Sequence, residues 1–182
     1  MENKIRLFID IEGCLAKFYE MVSGIEEMYN KEFFLNLHPY HNVVNGITTL
    51  YRKAKANEIQ LELFALSSAP SEIYEEVIND KRKWLQKYVS AIPDNNYVFL
   101  KIGESKPDKI KSLFGEIDSS FFLLDDFNKN LTEWNEAGGS SIKLVNEIND
   151  RGTHGPLWRG DRIRYDFTPD KISSELSEML NL

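Results

Sequence analysis

A chain of 182 residues is long enough for one α/β domain with an ordinary core and a small insertion, and too short for two full domains. Its 42% hydrophobic and 28% charged residues exclude extended disorder and a collagen-like chain. With 22 basic against 29 acidic residues the net charge is -7, so no bulk attraction to polymeric nucleic acid or an anionic membrane is expected, and an anionic substrate would need a local positive site.

The N-terminus, Met1-Glu2-Asn3-Lys4, has no basic region followed by an apolar core and a small-residue cleavage site. No run approaches the ~18 apolar residues of a membrane span, and the single Cys14 can form no internal disulfide. A cytoplasmic protein is the expectation. Residues 5–10 then read as a strand that delivers Asp10 and, two residues on, Glu12, before a turn at Gly13. Side chains two apart share a strand face. An apolar run ending in acids and glycine fits a buried strand whose C-terminal end carries chemistry; taken alone, it fits a solvated loop equally well.

From Ala16 to Tyr29 the apolar residues Phe18, Met21, Val22, Ile25, Met28 and Tyr29 recur at three- and four-residue spacing, which predicts an amphipathic helix. The segment from Lys31 to Pro39 is aromatic and irregular. Its adjacent Phe33 and Phe34 cannot share a helix face, so one should point away from the main core. Either a small subdomain with its own contacts or a lid over substrate accounts for it. Helical spacing resumes over 43–56, and residues 58–66 form a second strand, ended by Ser67-Ser68-Ala69-Pro70.

A helix over about 71–89 buries Ile73, Tyr74, Val77, Trp84, Leu85 and Tyr88. After the turn cluster at Pro93–Asn96 come a strand over 97–102 and a helix over 106–114, with Pro107 in its first turn. Phe121–Leu124 is a purely apolar strand ending in Asp125-Asp126. A helix over 128–137 closes at Gly138-Gly139, a strand follows over 141–145, residues 146–160 read as loop, and a helix ends the chain over 169–180. Strands alternating with helices predict an α/β fold with a mainly parallel, Rossmann-like sheet.

In such a sheet the strand C-termini share one edge, so Asp10 and Glu12, Ser67 and Ser68, Lys106, and Asp125 and Asp126 can converge. Carboxylates, hydroxyls and a lysine have a joint use. Two or three carboxylates hold Mg²⁺ through oxygen, the ion, lysine and hydroxyls neutralise a phosphoryl group, and a remaining carboxylate attacks phosphorus.

Residues Phe8 to Ala16 resemble the first motif of the haloacid dehalogenase (HAD) superfamily, Asp-x-Asp-Gly-(Thr/Val). Leu66-Ser67 is similar to the second motif, Lys106 suits the third, and Leu123 to Asp126 suit the fourth. Within the superfamily the chain resembles the 5'(3')-deoxyribonucleotidases and their small bacterial and phage relatives. That likeness rests on Phe33 to Pro39, on Lys81-Arg82-Lys83-Trp84, and on Asp125 to Leu131 followed by Trp134, Gly138-Gly139, Lys143 and Asn146.

The resemblance implies a core of residues 1–16 and 58–182, with a small helical cap over 17–57 inserted after the first strand. It implies a Mg²⁺-dependent phosphatase acting on a small phosphate ester, in this branch a nucleoside monophosphate, with a homodimer left open. Asp10 would be the nucleophile, and residue 12 would protonate the leaving alkoxide and then activate water. Mg²⁺ would be held by Asp10, the backbone carbonyl of Glu12, Asp125 and Asp126; phosphate would be bound by Ser67, Ser68, Lys106 and Lys81; and Phe18, Phe33 and Phe34 would form an apolar slot for a base. Phe18 as core, and Lys81 and Lys83 as plain surface charges, are equally good readings.

Glu12 departs from the pattern, which has Asp. One added methylene moves the carboxylate by about 1.5 Å, and a misplacement near 1 Å can cost on the order of 10²-fold in rate. A slowed phosphatase and a non-catalytic phosphate- or nucleotide-binding module are both consistent with that change, as is a phosphatase for another small ester. The three histidines have no ligand spacing, Cys14 reads as packing, and Trp134 and Trp158 read as core, the latter in a Gly155–Gly160 loop close to the site.

Overall fold

The computed structural model describes residues 4–20, 25–149 and 158–182. Six parallel strands, β1 (Ile5–Ile9), β2 (Leu61–Ala69), β3 (Tyr97–Lys101), β4 (Phe121–Asp125), β5 (Ser140–Val145) and β6 (Arg162–Arg164), form one sheet in the order β3-β2-β1-β4-β5-β6. The order reverses at β1, which pairs with β2 on one side and β4 on the other. Ligand crevices of open parallel sheets lie at such a reversal.

Alternation along the strands separates two cores. Leu7, Ile9, Leu63, Ala65, Phe122, Leu124, Ile142 and Leu144 face one layer, made by helices α1 (His41–Lys55), α2 (Tyr74–Tyr88) and α5 (Pro169–Met179). Phe8, Phe64, Leu66, Phe121 and Leu123 face the other, made by α3 (Lys106–Phe114) and α4 (Asn128–Glu136). Burial on both faces is why these strands read as continuous apolar runs. Gly46 lets α1 and α5 approach closely, since a Cβ there would lie 2.6 Å from the Ile172 side chain.

Three sequence expectations need correction. Residues 16–20 are not helical: the described part of the expected 16–29 helix contains only a 3-10 turn at Ile25–Tyr29, and Met21 and Val22 lie outside the described residues. Backbone groups that a helix would use are taken elsewhere. The Gly13, Leu15 and Ala16 amides bond within the turn, Lys17 N donates to the His38 carbonyl at 2.7 Å, and Tyr40 N donates to Leu15 at 2.8 Å. Entry and exit of the insertion are thereby zipped together at 15–17 and 38–40.

Helix α1, expected in the cap, packs along α5 and against β2, with Val43, Ile47 and Leu50 in the main core. Its apolar stripe joins the main core, as do Met28, Phe34 and Leu37 of the preceding segment. The second strand also runs further than expected, through Ser67 and Ser68 to Ala69, because β3 pairs alongside those residues.

Within the insertion Phe34 is buried while Phe33 is half-buried, so the two adjacent rings do part. Trp84 of α2 donates its indole N–H to the Leu37 carbonyl at 2.7 Å, fastening the insertion to the domain. Strand β6 carries only one buried apolar residue, Ile163, between two arginines, and had no strand signature.

Candidate active site

Asp10 follows β1 directly, and its amide donates to the Leu124 carbonyl of β4 at 2.9 Å, which seats it beside the end of that strand. Asp125 ends β4 and Asp126 follows it. One carboxylate oxygen from each of Asp10, Asp125 and Asp126 lies within 4.8 Å of the other two, a donor set of the kind a hard divalent cation takes. Lys106, the first residue of α3, reaches into the group, 2.9 Å from Asp10 and 2.6 Å from Asp125. Its helix start is fixed by Ser105, whose hydroxyl accepts from Asp108 N, and by Pro107.

Other groups hold these acids in place. Asp125 accepts from Phe127 N and from Asn130 Nδ2, both at 2.8 Å. Asn146 Nδ2 donates to Asp126 and to the Gly13 carbonyl, each at 3.0 Å. Lys143 donates to the Asp126 carbonyl at 3.1 Å and to Asn128 Oδ1. Gly13 has φ +80, and a Cβ there would sit 2.4 Å from Asp126 Oδ2, so both conformation and space require glycine. The supporting roles of Asn130, Lys143 and Asn146 follow from their position at the edge where β4 and β5 end.

Burial of like charges perturbs the cluster. Desolvation pushes the Asp10 carboxyl up to about 7; Lys106 pulls against this, while Asp125 and Glu12 add to it. Asp126 is also raised well above the ordinary carboxyl range, first by burial and then by Asp125 and Asp10. For Lys106 burial works to lower the ammonium, but Asp10 and Asp125 outweigh it and hold the group above its usual value.

Beside the acids lies a second set. Lys81, on α2 and only 1% exposed, donates to Glu12 Oε2 at 2.9 Å, to Ser67 Oγ at 2.8 Å and to the Ser68 carbonyl at 2.6 Å. Ser67 donates to Glu12 Oε2 at 2.7 Å. The Lys81 ammonium also lies 4.6 Å from the centre of the Phe34 ring. The surface-charge reading therefore holds for Lys83, which is exposed, and not for Lys81, which is buried beside Glu12 and Ser67. The Glu12 side chain turns to Ser67 and Lys81 and does not join the three-carboxylate cluster.

A cleft of about 600 Å³ opens over both sets, lined by Asp10, Glu12, Ser68, Lys106 and Asp126 and by Phe18, Tyr19, Phe34, Ile102 and Phe127. Phe33 is not among its lining; its ring packs edge-on between Phe18 and Phe34. Tyr19 and Phe127, which periodicity did not single out, present the more exposed rings, at 40% and 52%. A ring directly after the acid pair that ends a buried strand, as Phe127 is, was the available signal. Cys14 is buried with its thiol pushed up by burial, His38 and His41 are exposed, and Trp134 is core. His154 and residues 155–157 of the Gly155–Gly160 loop lie outside the described residues, and Trp158 packs against the α3/α4 core.

No protein-family model matches the chain, and no curated protein matches it by sequence. Solved structures do. A HAD hydrolase of family IA, variant 3, from Entamoeba histolytica is 12% identical with a TM-score of 0.62, over 98% of this chain and 100% of that one. D,D-heptose 1,7-bisphosphate phosphatase from Burkholderia thailandensis is 12% identical with a TM-score of 0.60, over 96% and 99%. The same phosphatase from B. bronchiseptica, complexed with magnesium and phosphate, is 10% identical with a TM-score of 0.59, over 96% and 99%. The chain therefore shares its fold with these three structures, one of them a HAD hydrolase.

Proposed function

We propose that the chain, on its haloacid dehalogenase fold, is a Mg²⁺-dependent phosphatase of small phosphate monoesters, nucleoside monophosphates above all. The observation that carries this is the convergence of Asp10, Asp126 and Lys106 on one cleft, with Asp125 bonded to Lys106, and Ser67 and Lys81 bonded to the cleft-lining Glu12, directly behind them. The magnesium and phosphate held by the B. bronchiseptica neighbour support it.

The donors fit the ion. Three buried carboxylates lie together and Lys106 contacts two of them, Asp10 and Asp125, an excess of negative charge made of hard oxygen ligands. Asp10, Asp125 and Asp126, with the Glu12 backbone carbonyl, would hold Mg²⁺, which when bound supplies charge neutralisation at the phosphoryl oxygens.

In the first step an Asp10 carboxylate oxygen attacks phosphorus, the ester P–O bond breaks, and the alkoxide leaves with a proton from Glu12. Lys106 fixes the Asp10 oxygen, and Ser67 and Lys81 donate to the non-bridging oxygens. Water, deprotonated by Glu12, then attacks the aspartyl-phosphate at phosphorus, releasing phosphate and restoring Asp10. Phe18 and Phe34 wall the cleft, and Tyr19 and Phe127 at its mouth offer faces on which a base can stack.

Phosphate release from nucleoside monophosphates, sugar phosphates and p-nitrophenyl phosphate, with Mg²⁺ and with EDTA, tests the reading. Mg²⁺-dependent release with nucleotides preferred is expected; no release from any ester would sink it. Truncating Tyr19 or Phe127 to Ala should raise KM for nucleotides about 10-fold, the value of one stacked base, and leave KM for a sugar phosphate unchanged. Equal effects on both would remove the nucleotide preference.

Proton linkage gives a test of the metal site that needs no turnover. A carboxyl raised from 3.8 to about 7 binds more protons folded than unfolded across that window. Stability of the metal-free protein should therefore fall as pH rises from about 4 to 7. Mg²⁺ binds the ionised carboxylates, so its stabilising shift in a thermal melt should be larger at pH 8 than at pH 5.5; equal shifts would place the ion elsewhere.

A further inference from the structure

We infer that the Glu12 carboxylate is a built-in occupant of the phosphoryl subsite, holding the donors of Ser67 and Lys81 until an incoming phosphoryl group displaces it. The inference rests on reading Ser67 and Lys81 as phosphoryl donors. Hydrogen counting carries it. An ammonium has three N–H groups, and those of Lys81 are committed to Glu12 Oε2, Ser67 Oγ and the Ser68 carbonyl. The Ser67 hydroxyl has one hydrogen, and it is directed at the same Glu12 oxygen, 2.7 Å away. Neither donor has a proton left for a phosphate oxygen while Glu12 stays.

Glu12 is also held in a way that lets it go. Its other oxygen, Oε1, is buried with no hydrogen-bond partner among the described residues, a cost that part-cancels the two contacts of Oε2. The side chain lines the cleft and keeps 15% of its surface exposed, so it has open space to move into. The reach is specific to glutamate. Aspartate would draw the carboxylate back by about one C–C bond, roughly 1.5 Å, carrying it beyond hydrogen-bond range of both partners. The extra methylene that departs from the superfamily pattern is what spans the gap.

In the wild-type chain the subsite should therefore bind inorganic phosphate weakly, because each phosphate must first displace a carboxylate. Calorimetric titration of inorganic phosphate into the full chain with saturating Mg²⁺ tests this with two variants that separate reach from charge. Glu12→Asp keeps the charge and loses the reach, and should bind phosphate at least fivefold tighter than wild type. Glu12→Gln keeps the reach and loses the charge, and should gain less than Glu12→Asp. Adding Ser67→Ala to Glu12→Asp should take the gain away.

Unchanged or weaker binding by Glu12→Asp overturns the inference, as does a gain confined to Glu12→Gln, which would mean charge alone. Absence of phosphate binding in wild type and every variant overturns it too, since vacated donors must form an anion site. The outcome is separable from the phosphatase reading: a tighter Glu12→Asp with no ester hydrolysed would leave the occupant standing and remove the enzyme, and hydrolysis with unchanged affinity would do the reverse.

Discussion

Asp10→Asn is expected to lower phosphate release by at least about 10³-fold, because the amide cannot form the aspartyl-phosphate and the rest of the site cannot replace a nucleophile. Stability should move the other way. Asp10 is one of three clustered carboxylates, and its ionisation is disfavoured by burial and by Asp125 and Glu12, the three together outweighing the pull of Lys106. An amide oxygen in its place still accepts from Lys106, now without the repulsion. In EDTA the variant should melt at or above the wild-type temperature, and its response to Mg²⁺ should shrink. Retained turnover together with a lowered melting temperature would identify Asp10 as a structural acid and end its role as nucleophile.

Lys106→Met should have the largest effect on stability. Lys106 is almost fully buried and is the one cation in contact with both Asp10 and Asp125 among the described residues. Methionine keeps most of the stem and leaves two buried carboxylates without their ion pair, a change that costs about 3–5 kcal/mol. For a chain of this size that is a fall in melting temperature of roughly 6–20 °C in EDTA. Mg²⁺ should recover part of it, since the ion serves the same carboxylates. The double variant with Asp10→Asn should be less destabilised than the sum of the two, because one of the stranded charges is then gone. Simple additivity in thermal melts would show that Lys106 acts through packing alone.

What could be read from the residues divides along physical lines. Asp10 and Asp125 were legible because parallel strands buried on both faces leave long apolar runs, and an acid at the end of such a run has few other positions to occupy. Lys81 was ambiguous because its burial depends on Phe34 and Ser67, which reach it from the insertion and from β2. The helix expected over 16–29 failed at its start, over 16–20, because periodicity registers side-chain spacing and not the backbone bonds from 15–17 to 38–40. Tyr19 and Phe127 escaped notice because the direction of a ring in a turn has no period. The departure at Glu12 was visible, but its meaning required the two distances to Ser67 and Lys81.

The paired backbone bonds at 15–17 and 38–40 bear on how this protein can change over evolutionary time. A segment whose two ends are fastened side by side closes its loop before any of its interior is specified, and lengthening a closed loop adds only about 0.6 kcal/mol of closure entropy per doubling. Added length between the fastened ends therefore costs little closure entropy, provided the contacts of Phe34 with Lys81 and of the Leu37 carbonyl with Trp84 are kept. On the proposed function, a change of length there would reshape the cleft wall that Phe18 and Phe34 form and leave Asp10 at the end of β1.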